Sequence, residues 1–395
     1  MKRLVLLFTC FGLTLGCSSS SGPSGSSDSG EVAGSQNDAA QVERRDGMVL
    51  IPAGSFQMGG DAGEMGGDSN SHRTAYPIHK VTLDAYWIDE AEVTNRQFAE
   101  FVEATGYVTF AEKPLSKETI EEFKLAAAQN LQQLQHDLLH CSPDERRAIE
   151  ATIERVKNAA TLSESTAAGA IIFSRPAEEL YSDRDITQWW RLEPKANWRT
   201  PDGPGTSWKD RLDHPVVNVT YEDALAYAKW VGKRLPTEAE WEKAARGGLK
   251  RMPFAWGDEM FPQGEDVWMA NIWQGEWPYE NLATDGYVTS SPVKSFPPNP
   301  YGLYDIAGNV WEIVSDYYHP RAYEMNSARR RNPTGPALVQ VAQPGQRVTH
   351  RVTRGGSFLC SDVWCKGYQP GARQPFDNES PSNHTGFRCV KDVEK

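Results

Sequence analysis

The chain changes its hydrophobic rhythm several times along its 395 residues, and each change predicts an element or a break. Leu4 to Leu15 is a continuous apolar run behind Lys2 and Arg3, too short to cross a bilayer as a mature helix. Residues 1–16 therefore read as an export signal. Residues 17–45 turn to Ser, Gly, Asp and Gln, and with so few large apolar side chains they cannot repay their ordering entropy. A flexible tether is expected there. From Met48 to Met58 apolar and small residues alternate around Pro52-Ala53-Gly54, which predicts a short hairpin, and the β-branched and aromatic run Val81 to Ile88 predicts one strand. The period then lengthens: Phe98, Phe101 and Val102 share a face of a helix from Asn95 to Thr105, with Thr94 as N-cap and Gly106 as stop.

Two longer helical runs follow. Ile120, Phe123, Ala127, Leu131, Leu134 and Leu138 recur at spacings of three and four, as do Ile149, Ile153, Val156 and Ala160. Between them Ser142-Pro143-Asp144-Glu145 supplies an N-cap, a proline at the first helical position and acids in the first turn. Residues 113–168 thus predict an antiparallel helical hairpin, read as a structural elaboration, with partner docking as the functional alternative. Cys141 at its turn is read as a free thiol. Further on, a helix over Tyr221 to Gly232 turns Ala224, Tyr227, Ala228 and Val231 inward, and Thr237 caps another bearing Trp241 and Ala245. Glu238 and Glu240 are read as complements to that helix N-terminus.

Composition narrows the function classes. With 39% hydrophobic residues, 13 Trp, 14 Tyr and 14 Phe, the chain can build a substantial core. Its 41 basic and 53 acidic residues give a net charge of −12, which argues against nucleic acid and favours a peptide or protein partner. Leu13-Thr14-Leu15-Gly16-Cys17 looks like a bacterial lipobox, so Cys17 is the candidate lipidated residue. The expectation is an exported lipoprotein, anchored to the outer membrane or cell envelope by its lipid alone, on the periplasmic side or the surface. The domain is expected to span 46–392.

The chemistry centres on Cys360 and Cys365, separated by four residues just after Gly355-Gly356-Ser357. That spacing does not fit the usual zinc or redox motifs, and no second Cys/His pair lies nearby to complete a zinc site. A disulfide is the plain reading for an exported protein. Two thiolates for a soft ion such as Cu(I) is the sharper one.

Several ordered blocks carry a resemblance. They are MVLIPAGSFQMGG (Met48 to Gly60), HKVTLDAYWIDEAEVTNRQFAEFVEATGY (His79 to Tyr107), HPVVNVTYEDALAYAKWVGKRLPTEAEWEKAARGG (His214 to Gly248), NPYGLYDIAGNVWEIVSDYY (Asn299 to Tyr318), and RGGSFLC through GFRC, ending at Cys389. In these the chain resembles the formylglycine-generating enzyme family, also called the sulfatase-modifying factor family. The resemblance implies an α+β fold related to C-type lectins, with little regular secondary structure. It implies a copper-dependent oxidase that uses O2 to convert a cysteine of a sulfatase Cys-x-Pro-x-Arg motif to Cα-formylglycine. Cys360 and Cys365 would be the Cu(I) thiolates and Ser357 a catalytic residue near the O2 pocket. Trp311, Trp364, Arg373 and His384 would line the substrate groove. Two Ca2+ sites are implied as well, one on Asn271, Ile272, Asp285 and Tyr287, the other on Asp305, Gly308, Val310 and Glu312.

Some positions depart from the family pattern. Trp364 stands where a Tyr is frequent, Ser361 where a His is, and His384 where an Asn often contacts substrate. Ala228 and Pro370 replace disulfide cysteines of some relatives, so Cys389 is expected as a buried thiol. The alternative function is a non-catalytic, surface-anchored, lectin-like binding module with Cys360 and Cys365 as a disulfide. An iron enzyme forming sulfoxides or C–S bonds is set aside on the expectation that the eight histidines include no helical His-x-x-x-His pair.

Overall fold

A computed structural model describes residues 42–60, 74–159, 168–176, 188–264, 267–325, 330–341 and 350–394. The expected signal, lipidated Cys17 and most of the tether lie outside them. The described chain opens with β1 (Arg44–Arg45), β2 (Met48–Ile51), β3 (Gly54–Met58), β4 (His79–Leu83) and β5 (Tyr86–Asp89). The first strand thus begins two residues before the expected domain boundary. Neither β-rich expectation holds as drawn. β2 pairs with β1 and β5 while β3 pairs with β4, so Met48 to Met58 is a corner between two sheets rather than a hairpin. Pro52 has no N–H to give a ladder. The corner is held instead by Lys243, whose Nζ donates to the Pro52 and Gly54 carbonyls. Val81 to Ile88 likewise divides between β4 and β5, because at Asp84 the backbone N–H donates to the Asn332 side chain, 2.9 Å away, and leaves the ladder.

Helix α1 (Asn95–Thr105) forms as its sequence predicts. Thr94 and Gln97 close a capping box, and Gly106 terminates the helix at φ 66°, the left-handed conformation glycine adopts without strain. Next come α2 (Lys117–His140) and α3 (Pro143–Ala159), the predicted helical hairpin. Ala127, Leu134, Ile149, Ile153 and Val156 bury one another between the two helices, with Leu131, Leu138 and Cys141 packed beside them. Ser142 and Glu145 exchange cap hydrogen bonds at the turn. The Phe123 side chain and Ala160 lie outside the described set. The Ala168 N–H donates to the Lys113 carbonyl at 2.8 Å, so the insertion leaves the domain where it entered.

Then follow β6 (Ala170–Phe173), β7 (Trp190–Glu193), α4 (Tyr221–Trp230), α5 (Glu238–Ala245) and β8 (Trp311–Tyr317). Two single turns, α6 (Ala322–Met325) and α7 (Leu338–Val341), precede β9 (His350–Arg354), β10 (Gln374–Asp377), β11 (Thr385–Gly386) and β12 (Val390–Asp392). Two four-stranded sheets result, ordered β1-β2-β5-β12 and β10-β9-β8-β11, with β3-β4 and β6-β7 as separate pairs. Helices and mostly antiparallel strands, joined by long loops, make the fold α+β.

Trp241 and Trp311 belong to one core cluster, and Phe98, Trp198, Tyr227 and Phe387 to a second. A buried ionic lattice crosses the first. Arg354 binds Glu238 at 3.2 Å and Glu242 at 2.5 Å, Arg373 binds Glu238 at 2.6 Å, and Arg246 binds Glu242 at 2.7 Å. Glu238 is therefore more than a complement to its helix dipole. Glu240 does serve its predicted terminus through a capping box with Thr237.

Candidate active site

The segment after β9 turns sharply because Gly355 and Gly356 take φ of 93° and 75°. A Cβ on Gly356 would lie 2.5 Å from the Tyr368 nitrogen, so only glycine fits. The turn aims Ser357 and Cys360 at a cavity of about 330 Å³. Its walls come from distant parts of the chain: Trp190 of β7, Trp277, Trp311 at the start of β8, Trp364, Asp377 of β10 and His384 beside β11. Of the expected site residues it gathers Ser357, Cys360, Cys365, Trp311, Trp364 and His384.

Cys360 and Cys365 are joined as a disulfide, with Cα atoms 5.3 Å apart. Cys360 is buried against the Trp241–Trp311 core and its N–H donates to the Ser357 carbonyl at 2.9 Å, while Cys365 is partly buried beside it. Gly367 makes room for the sulfur pair: a Cβ there would lie 2.9 Å from Cys360 Sγ and 2.5 Å from the Trp311 ring. The cavity thus brings two sulfur atoms to one wall, the donor set a soft monovalent ion requires once the pair is reduced.

His384 Nδ1 and Ser357 Oγ share a hydrogen bond of 3.1 Å, and the imidazole lies 4.8 Å from the Trp190 ring. Burial pushes its pKa down to about 3, so the ring is neutral across the physiological range. The Leu359 N–H also donates to Ser357 Oγ, at 3.3 Å. Trp364 stacks on Trp277 at 5.5 Å and 17°, and supplies an apolar face where a phenol would have supplied a hydroxyl. Ser361 is turned inward and accepts the Trp364 N–H at 3.0 Å.

Arg373 is not brought to the cavity. Its side chain is fully buried, and it donates to Glu238 and to the Thr74 and His319 carbonyls. A guanidinium so committed holds the scaffold and is not offered to a ligand, which corrects its expected place in the substrate groove.

The two expected calcium sets differ in kind. At the first, the Asp285 carboxylate accepts the Ile272 and Tyr287 N–H groups at 3.2 and 2.9 Å, which draws the set together. Burial raises the Asp285 pKa. Asn271 Oδ1 is buried without a hydrogen-bond partner, the kind of oxygen a hard cation takes. The Ile272 carbonyl, in contrast, accepts from the Gln274 amide. At the second, Asp305 Oδ1 is buried without a partner and burial lifts that carboxyl to about 6. Glu312 is committed elsewhere: Arg388 grips both its oxygens at 2.7 Å and Trp241 Nε1 donates to one at 2.8 Å.

Sequence reasoning missed Glu92. Its Oε2 is another buried orphan, and burial followed by the charge of Asp305 raises its pKa well above the usual range. Glu92 and Asp305 are thus the under-compensated pair of this region, and an acid enclosed by Ala91 and Val93 was the available signal. Each set offers an oxygen-seeking ion one such orphan atom, Asn271 Oδ1 or Asp305 Oδ1, while the Ile272 carbonyl and the Glu312 carboxylate are engaged within the protein. Among the described residues, no three His, Cys, Asp or Glu side chains gather as a metal site, so either set would depend on amide and carbonyl oxygens. Cys389 is a buried free thiol as expected, and Cys141 is free and half-buried.

An α+β domain whose long loops close an aromatic cavity over a cysteine pair defines the structural class. The description "Sulfatase-modifying factor enzyme 1-like domain" matches residues 34–393. The chain is 39% identical to a formylglycine-generating enzyme of Thermomonospora curvata, over 88% of this chain and 93% of that one. It is 33% identical to the "Inactive C-alpha-formylglycine-generating enzyme 2" of Mus musculus, over 87% of this chain and 85% of that one. Among solved structures, PvdO from Pseudomonas aeruginosa aligns with a TM-score of 0.49 at 22% identity, covering 88% and 94% of the two chains. The chain belongs to the formylglycine-generating enzyme, or sulfatase-modifying factor, family.

Proposed function

We propose that this chain is an oxidase that converts a peptidyl cysteine to Cα-formylglycine in an exported sulfatase or a similar protein. The observation that carries the reading is the cysteine pair in the wall of an aromatic cavity, beside the Ser357–His384 hydrogen bond. The relatives named for this activity supply the reaction class.

Reduced Cys360 and Cys365 would hold Cu(I), which when bound supplies a site for the substrate thiolate and for the one-electron chemistry of O2. The chain's own residues do the rest. Trp190, Trp277, Trp311 and Trp364 give the peptide flat apolar surface, and the Trp faces suit a proline ring. Asp377, an acid in the cavity wall, gives a counter-charge for the arginine of a Cys-x-Pro-x-Arg segment. Ser357 and neutral His384 hold a hydroxyl in fixed orientation next to the sulfur pair. For the reaction to balance, the thiol-bearing methylene of the substrate cysteine and one O2 combine with two external thiols, giving the aldehyde, hydrogen sulfide, water and one disulfide. The Cβ–H and S–H protons leave as the carbon is oxidised by two electrons, and the external thiols supply the other two.

Calcium at the two oxygen-lined sets would neutralise Glu92, Asp305 and Asp285 and tie down the loops around 271–312. The N-terminal lipid would place the domain outside the inner membrane, where a substrate arrives before it folds.

The test is mass spectrometry of a Cys-x-Pro-x-Arg peptide incubated with the full chain, Cu(I), a thiol reductant and O2. The expected product carries an aldehyde in place of the cysteine, and Cys365→Ser yields none. A folded protein that binds no Cu(I) and leaves the peptide unchanged would overturn the reading in favour of a binding module held by its disulfide.

A further inference from the structure

The C-terminal end of α2 carries His136 and His140, four residues apart and so on one face of the helix. A helical His-x-x-x-His pair is therefore present, contrary to the expectation. Both side chains are exposed, and their rings stack with centroids 4.4 Å apart and planes 30° apart. His140 Nδ1 lies 2.8 Å from the His136 carbonyl oxygen. A carbonyl can only accept, so in the neutral ring this nitrogen carries the proton and the lone pair sits on Nε2. His136 Nδ1 faces the Asp137 carboxylate at 3.6 Å, which favours the same tautomer. Neither Nε2 has a polar partner among the described residues.

We propose that His136 and His140 form a two-imidazole chelate for a borderline divalent transition ion, Ni2+, Cu2+ or Zn2+, at the tip of the helical hairpin. Histidines at i and i+4 are the spacing by which a helix presents two imidazoles to one ion. An Nδ1 held by a carbonyl or carboxylate is the arrangement that orients metal-binding imidazoles and makes them better donors. Nitrogen donors suit these ions, whereas Ca2+ takes oxygen, so this site does not compete with the sets around Asp285 and Asp305. Cys141 is no third ligand as placed, because its Sγ is turned to the Leu138 carbonyl at 3.4 Å. The remaining coordination positions fall to water or to a donor from another molecule. A bound ion would clamp the final turn of α2, where carbonyls have run out of partners within the helix. The chelate is independent of the oxidase reading.

The experiment is a calorimetric titration of the full chain in detergent with Ni2+, with the disulfide oxidised and Ca2+ in excess so that other sites are closed. One ion per chain is expected, with slower amide exchange over the last turn of α2. His136→Gln and His140→Gln are each expected to weaken binding at least about tenfold, on the scale by which ligand-shell changes act. Cys141→Ser is expected to bind as the unmodified chain does. In that Cys141→Ser background, the Cu2+ electron paramagnetic resonance spectrum should show two nitrogen donors. Because both histidines are exposed, circular dichroism should show the variants' helix content unchanged. Equal Ni2+ binding by the His136→Gln/His140→Gln protein, or loss of binding on Cys141→Ser alone, would overturn the proposal.

Discussion

The helical hairpin of α2 and α3 and the aromatic cavity of the main domain are built on opposite principles. In the hairpin, the core joins described residues of one segment, Ala127 and Leu134 against Ile149, Ile153 and Val156, and only its base packs on the main domain, through Ile120. Its stop and start are local too, with Ser142 and Glu145 capping each other three residues apart. In the cavity, Trp190, Trp277, Trp311, Cys360 and His384 meet from five stretches of chain. Behind it stands a lattice in which Arg354 and Arg373 reach back more than a hundred residues to Glu238. A segment that buries its own apolar stripe can be added without disturbing its host, whereas a cavity closed by distant loops depends on the whole fold.

Four changes would break or sharpen that contrast. The largest effect is expected from Cys360→Ser, which should abolish formylglycine formation while the denaturation midpoint stays near that of the parent protein measured under reducing conditions. A variant that keeps activity would remove the cysteine pair from the chemistry. Next is Arg354→Met, which takes one of two arginines from each of Glu238 and Glu242, leaving them Arg373 and Arg246, and removes the donor to the buried Pro370 and Gly371 carbonyls; it is expected to cost up to about 3–5 kcal/mol, the range for breaking a buried pair. The denaturant midpoint reads this directly, and the cavity should loosen with it.

Leu134→Ala should cost about 2–5 kcal/mol, as other buried leucines do, but only within the hairpin. Amide exchange should quicken in α2 and α3, while peptide turnover and the main unfolding transition stay put. A matching shift of the main transition would show that the two regions unfold as one unit.

The smallest and most specific effect concerns Asp316. Burial, then the nearby Glu238 charge, lifts its carboxyl from 3.8 to about 7. Between those values the folded state keeps a proton that the unfolded chain has lost, so this group's contribution to stability declines as pH rises and is gone above about 7. Asp316→Asn, permanently neutral, should flatten that decline: its urea midpoint should gain on the parent protein between about pH 5 and pH 8. A parallel pH profile for the two proteins would contradict the raised pKa.

Legibility followed the range of the contacts. Helix α1, its Thr94 cap and its Gly106 stop could be read because they involve neighbours along the chain. The run from Val81 to Ile88 could not, since its break at Asp84 is made by Asn332, 248 residues away. Arg373 looked available for substrate because a sequence shows a charge but not the carboxylate that consumes it. Glu312 likewise hid its pairing with Arg388. His136 and His140 stand at helical spacing in the sequence, and only their placement on an exposed face shows what the pair offers.

By itself, then, the sequence determined the elements whose stabilising contacts are local, the family through its ordered motif blocks, and the pair of sulfurs on which the proposed chemistry rests. The tertiary structure alone decided which charges are spent in the core, which carboxyls are left uncompensated, and which tryptophans close over Cys360 and Cys365. The physical reason is that burial and pairing set the state of a charged or sulfur-bearing group, and both are properties of what folding brings beside it.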